Sequence, residues 1–476
     1  MLATALATSC GAGASPELGS PTGPSVILVS VDTLRADHLG CYGYPKETSP
    51  FLDRIADEAV VFEETMAASC RTATSHMSMF SGLHPGVHGV RNSFERDVQA
   101  ASPQLPWLPA LLREAGYHTA AFTGGGMMSG EFGFARGFDV YDDKGEGAAR
   151  VVDRADRWLR RYADGGGDRP FFLFVHTYEV HEPYTAPPDW QARWVSPDYG
   201  GNIDSTRCEL PENASEVWKE DKGFYEEILN RFWRGFDRRD AADVQHMVDL
   251  YDACIAFTDH ELERLWRTVE ELGLADDVLL IVTSDHGEEF MEHGKTSHDS
   301  IYQEVLRVPL IVRMPGKSHT RRIGRPVQGI DLAASIAELC DLSFPVETQG
   351  SSWASDVMGG FGENDRTWSE LGWPPETAAL RWGRHKLVVD RTAKSFELYD
   401  LKADPGEHSD LAGAPPDDLL ARMGQAAREL HVDNAKLSKR WPTVSVRLGD
   451  RALGVINALG YGGDDAEEEE DDEPPE

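Results

Sequence analysis

Three short stretches of the 476-residue chain end apolar runs in residues that can bind a metal or move a proton. "SVILVSVD" (25–32) ends in Asp32, and "VLLIVTSD" (278–285) ends in Asp285 followed by His286. "FFLFVHT" (171–177) leads through His176 to Glu179 and His181. A purely structural strand has no need of a carboxylate or imidazole at its end, so three such endings point to one site. Asp32, Asp285 and His286 together suit a divalent metal, and an imidazole among the donors favours Zn²⁺ or Mn²⁺ over an all-oxygen Ca²⁺ site. Taken singly, each Asp reads as an ordinary helix cap; the matching apolar runs and the adjacent His286 tip the set toward metal binding. "VHTYEVHEPYTAPP" places His176 and His181 five apart, and "HGKTSHDSIYQE" places His293 and His298 in a polar loop; at least one histidine of each loop is expected to reach the site. A fourth stretch, "SCRTATSHMSMFSG" (69–82), offers three nucleophile types in Cys70, Thr72 and Ser75.

The elements that must position these residues follow from hydrophobic periodicity. The three apolar runs, with "VPLIVRMP" (308–315), read as buried strands. Between them lie helical patterns, clearest over 241–272, where Val244, Met247, Tyr251, Ile255, Thr258, Leu262 and Trp266 recur every three or four residues. Strands alternating with helices predict an α/β fold, a large mostly parallel sheet covered by helices. In such folds ligands bind beyond the carboxyl ends of the strands, where Asp32, Asp285 and His286 fall. After about residue 345 the pattern changes. Residues 381–411 predict a small antiparallel sheet and 416–430 a helix, so the domain reading is a catalytic unit at 25–345 and a smaller C-terminal α+β unit at 346–463.

Bulk properties narrow the function classes. The formal net charge of −35 argues against a nucleic-acid partner, which needs clustered Lys and Arg. Residues 464–476 form an acidic tail expected to be solvated and disordered. The six cysteines are scattered without a CxxC pair, which excludes a zinc knuckle and a dense disulfide framework and leaves room for one or two bridges. No run of 18 apolar residues predicts a membrane span. The leader 1–24 contains "LATSC", which reads as the end of a truncated bacterial lipoprotein signal with Cys10 as the acylated residue; export to the periplasm or cell surface is the matching expectation.

The stretch "VILVSVDTLRADHLGCYGYPKETSPFLDRIADEAVVFEE" resembles the opening of the sulfatase family, within the alkaline phosphatase superfamily. The likeness continues through "SHMSMFSGLHPGVHGV", "LREAGYHTAAFTGG", "FFLFVHTYEVHEPY", "IVTSDHGEEFMEHG" and "SIYQEVLRVPLIVRMPG" to "KLVVD", "ELYDLKADPGEHSDL" and "INALGYGG". It implies a large α/β domain with metal and nucleophile at the strand ends and a smaller C-terminal domain. It also implies metal binding by Asp32, Asp285 and His286, and contact of His181 and His298 with the substrate's oxyanion or leaving group. Two departures matter. Thr33 stands where many sulfatases have a second Asp, and His286 where many have Asn, so the metal site looks more like relatives that hydrolyse phosphate esters and phosphonates with transition metals.

The same resemblance selects the nucleophile. Sulfatases carry a Cys or Ser, oxidised to formylglycine, ten residues before a Thr-Gly or Ser-Gly pair. Here Ser81-Gly82 is that pair, and the count leads to Thr72 rather than Cys70. On this register Thr74 replaces the motif's Pro, Ser75 is kept and His76 replaces its Arg. Thr cannot become formylglycine by the usual route, so that modification is not expected. Its hydroxyl can still attack if a metal stabilises the alkoxide, and Thr72 can complete an Asp-Thr-Asp-His ligand set. The catalytic set read from sequence is therefore Thr72, His76, His181 and His298. A formylglycine hydrate expels sulfate by collapsing to an aldehyde, whereas an ester of Thr must be hydrolysed by water, which suits phosphorus better than sulfur. The expected activity is hydrolysis of a sulfate or phosphate ester of a small molecule, glycan or lipid. Phosphodiester or phosphonate hydrolysis, phosphoryl transfer and an inactive binding protein are the alternatives.

Overall fold

The computed structural model describes residues 23–91, 97–145, 147–203, 232–317, 319–371, 377–416, 418–449, 452–453 and 456. The leader with Cys10, Cys208, the middle of the 187–240 segment, "ALGYGG" and the acidic tail lie outside them.

Strand β1 (Ser25–Val31) runs at the centre of a nine-stranded sheet. It pairs in parallel with Phe171–Thr177 on one side and Val278–Thr283 on the other. All three strands are buried throughout. Helices on both faces explain why they read as continuous apolar runs rather than alternating ones. Outward from them the sheet continues in parallel through His118–Phe122 to Val140–Asp142. On the other side the strand Arg307–Arg313 runs antiparallel to both Val278–Thr283 and β2 (Val60–Met66). The fourth apolar run is thus a strand, but the one that reverses direction in an otherwise parallel centre.

Alternation along β1 sorts the site from the core. Ile27 and Val29, with Leu280 and Val282, face Phe51 of helix α1 (Pro50–Ala56) and Leu262, Leu265 and Trp266 of the long helix Ala241–Glu271. The opposite face presents Ser30, and the parallel register sets His176 directly beside it. Helix α2 (Thr72–Ser81) covers this second face, with Phe80 edge-on to Phe174 and His76 edge-on to His176.

The C-terminal part is a four-stranded antiparallel meander over Arg366–Asp400 followed by the helix Leu419–Leu437. The meander starts earlier than its most regular sequence pattern, and the helix both begins and ends later than expected. One sheet face (Trp368, Leu380, Leu387, Leu398) packs on Met423 and Ala427 of that helix. The other (Ala379, Val388, Tyr399) packs on Met66, Ile301, Leu306 and Val308 of the main body. The four described cysteines, Cys41, Cys70, Cys254 and Cys340, are free thiols. No described helix is long and apolar enough to cross a membrane.

Candidate active site

The chain turns sharply after each central strand, and hydrogen bonds tie the turns together. Asp32 N extends the ladder to Thr177 O, at 3.0 Å. Thr33 then takes φ = 55°, costly for a β-branched residue. Its hydroxyl donates to Val180 O at 3.0 Å, and its carbonyl accepts from Tyr251 Oη at 2.7 Å, so loop and long helix together hold the turn. Leu34 N donates to Ser284 Oγ at 3.0 Å, which itself donates to His286 O at 2.6 Å. Asp32 and the Asp285-His286 pair, more than 250 residues apart, are fixed through that one serine.

These turns bring Asp32, Asp285 and His286 together, fully buried, with their donor atoms all within 4.8 Å of one another. His286 Nε2 lies 3.3 Å from Asp285 Oδ2 and 4.0 Å from Asp32 Oδ1. Asp32 Oδ1 and Asp285 Oδ2 are buried without a hydrogen-bond partner. Burial pushes the Asp32 carboxyl up to about 8 and that of Asp285 up to about 7, the second also by the proximity of Asp32. Two buried carboxylates with unpartnered oxygens and neutral imidazoles around them fit a divalent cation, the charge the protein itself does not supply. His286 Nδ1 faces Gly287 O at 3.1 Å and so carries the ring proton, which leaves the Nε2 lone pair facing the carboxylates, as a metal-ligating histidine requires.

Thr72 is the first residue of α2, with its hydroxyl 3.5 Å from His286 Nε2. Arg71, not Thr72, occupies the N-cap, and its side chain makes no capping bond. Ser75 fixes the approach to the helix: its hydroxyl donates to Ser69 O at 2.8 Å and accepts from Ser69 N at 3.2 Å. Cys70 is fully buried, and burial lifts its thiol to about 12, far from a reactive thiolate.

The histidines separate by what their ring nitrogens meet. His76 Nδ1 donates to Thr72 O at 2.8 Å, and Nε2 accepts from Ser30 Oγ at 2.9 Å. His176 Nδ1 accepts from Gly124 N at 3.4 Å, so Nε2 carries the proton and donates to Asp32 Oδ2 at 3.2 Å. Both rings are therefore taken up with holding Thr72 and Asp32. His181 Nδ1 donates to Glu182 O and His298 Nδ1 to Cys70 O, at 2.8 and 2.9 Å, and their Nε2 atoms face each other at 3.2 Å. The rings of His298 and His286 lie 4.4 Å apart, centroid to centroid. Burial drives His76, His176 and His181 down to about 4 and His286 to about 3, so each rests neutral. His293 stands apart, stacked on Tyr302 and 3.3 Å from Glu304. Glu179 is also elsewhere, accepting from Ala148 N at a helix start.

Ser30 was not singled out by the sequence, and His176 was weighed without a role. Their roles depend on packing between elements far apart in the chain. The only local signal was the polar pair Ser30 and His176 at the ends of apolar runs.

The Sulfatase family model matches residues 24–342, two-thirds of the chain. The chain belongs to the sulfatase family. A second model, "N-sulphoglucosamine sulphohydrolase, C-terminal", matches residues 291–432. An N-acetylglucosamine-6-O-sulfatase of Bacteroides thetaiotaomicron is 22% identical over 94% of this chain and 93% of its own. A multifunctional alkaline phosphatase superfamily protein of Trinickia caryophylli is 25% identical over 84% of this chain and 93% of its own. The crystal structure of a phosphonate monoester hydrolase of Agrobacterium radiobacter superposes with a TM-score of 0.68 at 20% identity, covering 89% of this chain and 97% of that one, and so shares the fold. As a sulfatase-family member the protein is an ester hydrolase with the alkaline phosphatase-like architecture, and this family uses a divalent metal.

Proposed function

We propose that the protein hydrolyses a phosphate or phosphonate ester, with Thr72 as nucleophile beside a divalent metal. The observation that carries this is the closure of Asp32, Asp285 and His286 within 4.8 Å, with the Thr72 hydroxyl 3.5 Å from His286 Nε2. Asp32, Asp285 and His286 would hold the ion, with the Thr72 hydroxyl as a further ligand. Such an ion supplies positive charge that favours the Thr72 alkoxide and offsets the charge of the bound ester group.

The chain's own residues account for the rest. Hydrogen bonds from His76 and Ser75 at the start of α2 fix where Thr72 points. Its Oγ1 forms a bond to phosphorus as the bond to the leaving oxygen breaks. The hydroxyl proton of Thr72 is balanced by one delivered to the leaving alcohol, and the facing Nε2 atoms of His181 and His298 support a relay for it. Water then cleaves the phosphothreonine, releasing phosphate or phosphonate and restoring the hydroxyl. The threonine ester has no aldehyde through which to expel sulfate, which argues for phosphorus. Sulfate esters are the second reading, favoured by the family model and by the sulfatase relatives. The catalytic unit is read as residues 25–345, the C-terminal unit as 346–463, and export, with Cys10 as lipid anchor, as its setting.

The test is turnover of aryl phosphate, phosphodiester, phosphonate and sulfate esters by metal-loaded wild-type protein and Thr72→Ala. Phosphorus esters should be cleaved fastest, and the variant should lose that activity while keeping its metal. Equal turnover by Thr72→Ala would end this reading.

A further inference from the structure

The rim of the site carries a guanidinium that the reaction above does not use. Arg71 immediately precedes Thr72 and ion-pairs with Asp299, the neighbour of His298. His298 Nδ1 donates to Cys70 O, so the two loops run side by side where Arg71 meets Asp299. The Arg71 side chain is 20% exposed and that of Asp299 60%, whereas Thr72, His286 and His298 are fully buried. Arg71 therefore stands at the mouth, where the alcohol portion of an ester bound at Thr72 would project.

Three features set this residue apart from an ordinary surface ion pair. It occupies a helix N-cap, a position favouring Ser, Thr, Asp or Asn, without capping anything. Its partner Asp299 directly follows His298, so the ion pair ties the loop before the nucleophile to the loop of the outer histidine pair. An anionic group lying outside the buried metal set would meet a positive charge in Arg71, which is more exposed than Thr72. The bond to Asp299 is readily exchanged, because a pair with so exposed a carboxylate contributes little to stability. A guanidinium offers a planar fork that suits carboxylate, sulfate or phosphate oxygens better than a lysine would.

We propose that Arg71 is a specificity residue that exchanges Asp299 for a second anionic group on the alcohol portion of the substrate. The preferred substrate is then an ester of an alcohol that already bears a negative charge. This rests on the reading of Thr72 and the metal site, and binding can be measured apart from it. In metal-loaded Thr72→Ala protein, calorimetry compares 4-nitrophenyl phosphate with its ring-carboxylated analogue. Adding Arg71→Ala should lower the affinity ratio, carboxylated over plain, by about tenfold. Arg71→Lys should keep part of the preference, and Asp299→Asn should raise it. High salt should weaken the preference of the Thr72→Ala protein and leave that of the double variant flat. An unchanged ratio in the Arg71→Ala background, or an equal loss for both esters, would overturn the proposal. Should Thr72→Ala still turn over either ester, the nucleophile assignment fails, while the affinity ratio still decides the role of Arg71.

Discussion

Two groups of buried histidines share one site and differ in what their nitrogens do. His76 and His176 lie on the sheet side, each with both ring nitrogens engaged by protein atoms. His286, His181 and His298 lie on the loop side; each donates Nδ1–H to a backbone carbonyl and turns Nε2 toward the other site groups. Burial alone keeps all five neutral and so does not distinguish them. The second partner does, separating rings that position other residues from rings able to meet a metal or a substrate.

Substitutions should break this contrast in a graded way. The groups that both sets serve come first. Thr72→Ala and Asp285→Asn should each lower kcat/KM for phosphate esters by about a thousandfold or more. Elemental analysis separates them, because metal is retained in the first and lost in the second. On the loop side, His298→Ala should cost about a hundredfold or more in kcat and flatten a limb of the pH–rate profile, since it removes a proton carrier. On the sheet side, His176→Ala should weaken metal affinity by about 10- to 100-fold, with most of kcat restored by excess metal. A loop-side loss should not be rescued in that way, and rescue of His298→Ala by metal would dissolve the distinction.

The smallest effect concerns stability. Asp32 and Asp285 have folded-state pKa values raised to about 8 and about 7, above the ordinary carboxylate range of an unfolded chain. In the metal-free folded protein these two carboxyls hold their protons between about pH 4 and these values, where the unfolded chain has released them, so their contribution to stability falls as pH rises through that window, while the buried neutral histidines contribute in the opposite sense below about pH 6.5. Thermal melts of chelated protein should show Tm dropping between about pH 6.5 and 8, where the histidines are neutral in both states. The drop should shrink in Asp285→Asn and be offset in the metal-loaded protein, whose cation stabilises the charged carboxylates.

Much of this was legible in the sequence because it is local. Asp32, Asp285 and His286 end apolar runs, and those runs are the central strands. The 241–272 periodicity matched the helix Ala241–Glu271 nearly to the residue, since a half-buried helix of that length leaves a long apolar stripe. Less was legible where function depends on the partner across a fold-level contact. Sequence placed His76 among the catalytic residues because it stands where the family has Arg; the geometry shows both its nitrogens given to Thr72 O and Ser30. Nothing in "VSVDT" announces that Thr33 is forced to a positive φ, which arises from Val180 and Tyr251 closing on it. The antiparallel course of Arg307–Arg313 was equally silent, because a strand buried on both faces reads the same in either direction.

The proposed reaction turns on Thr72 forming a bond to the transferred group. Metal-loaded protein mixed with a phosphate monoester, quenched in acid at early times and mapped by peptide mass spectrometry, tests this directly. One phosphoryl group on the peptide holding residues 69–82, localised to Thr72 and absent from Thr72→Ala, is the predicted result. Rapid turnover with that peptide unmodified, or with the label on Cys70 or Ser75, would contradict it.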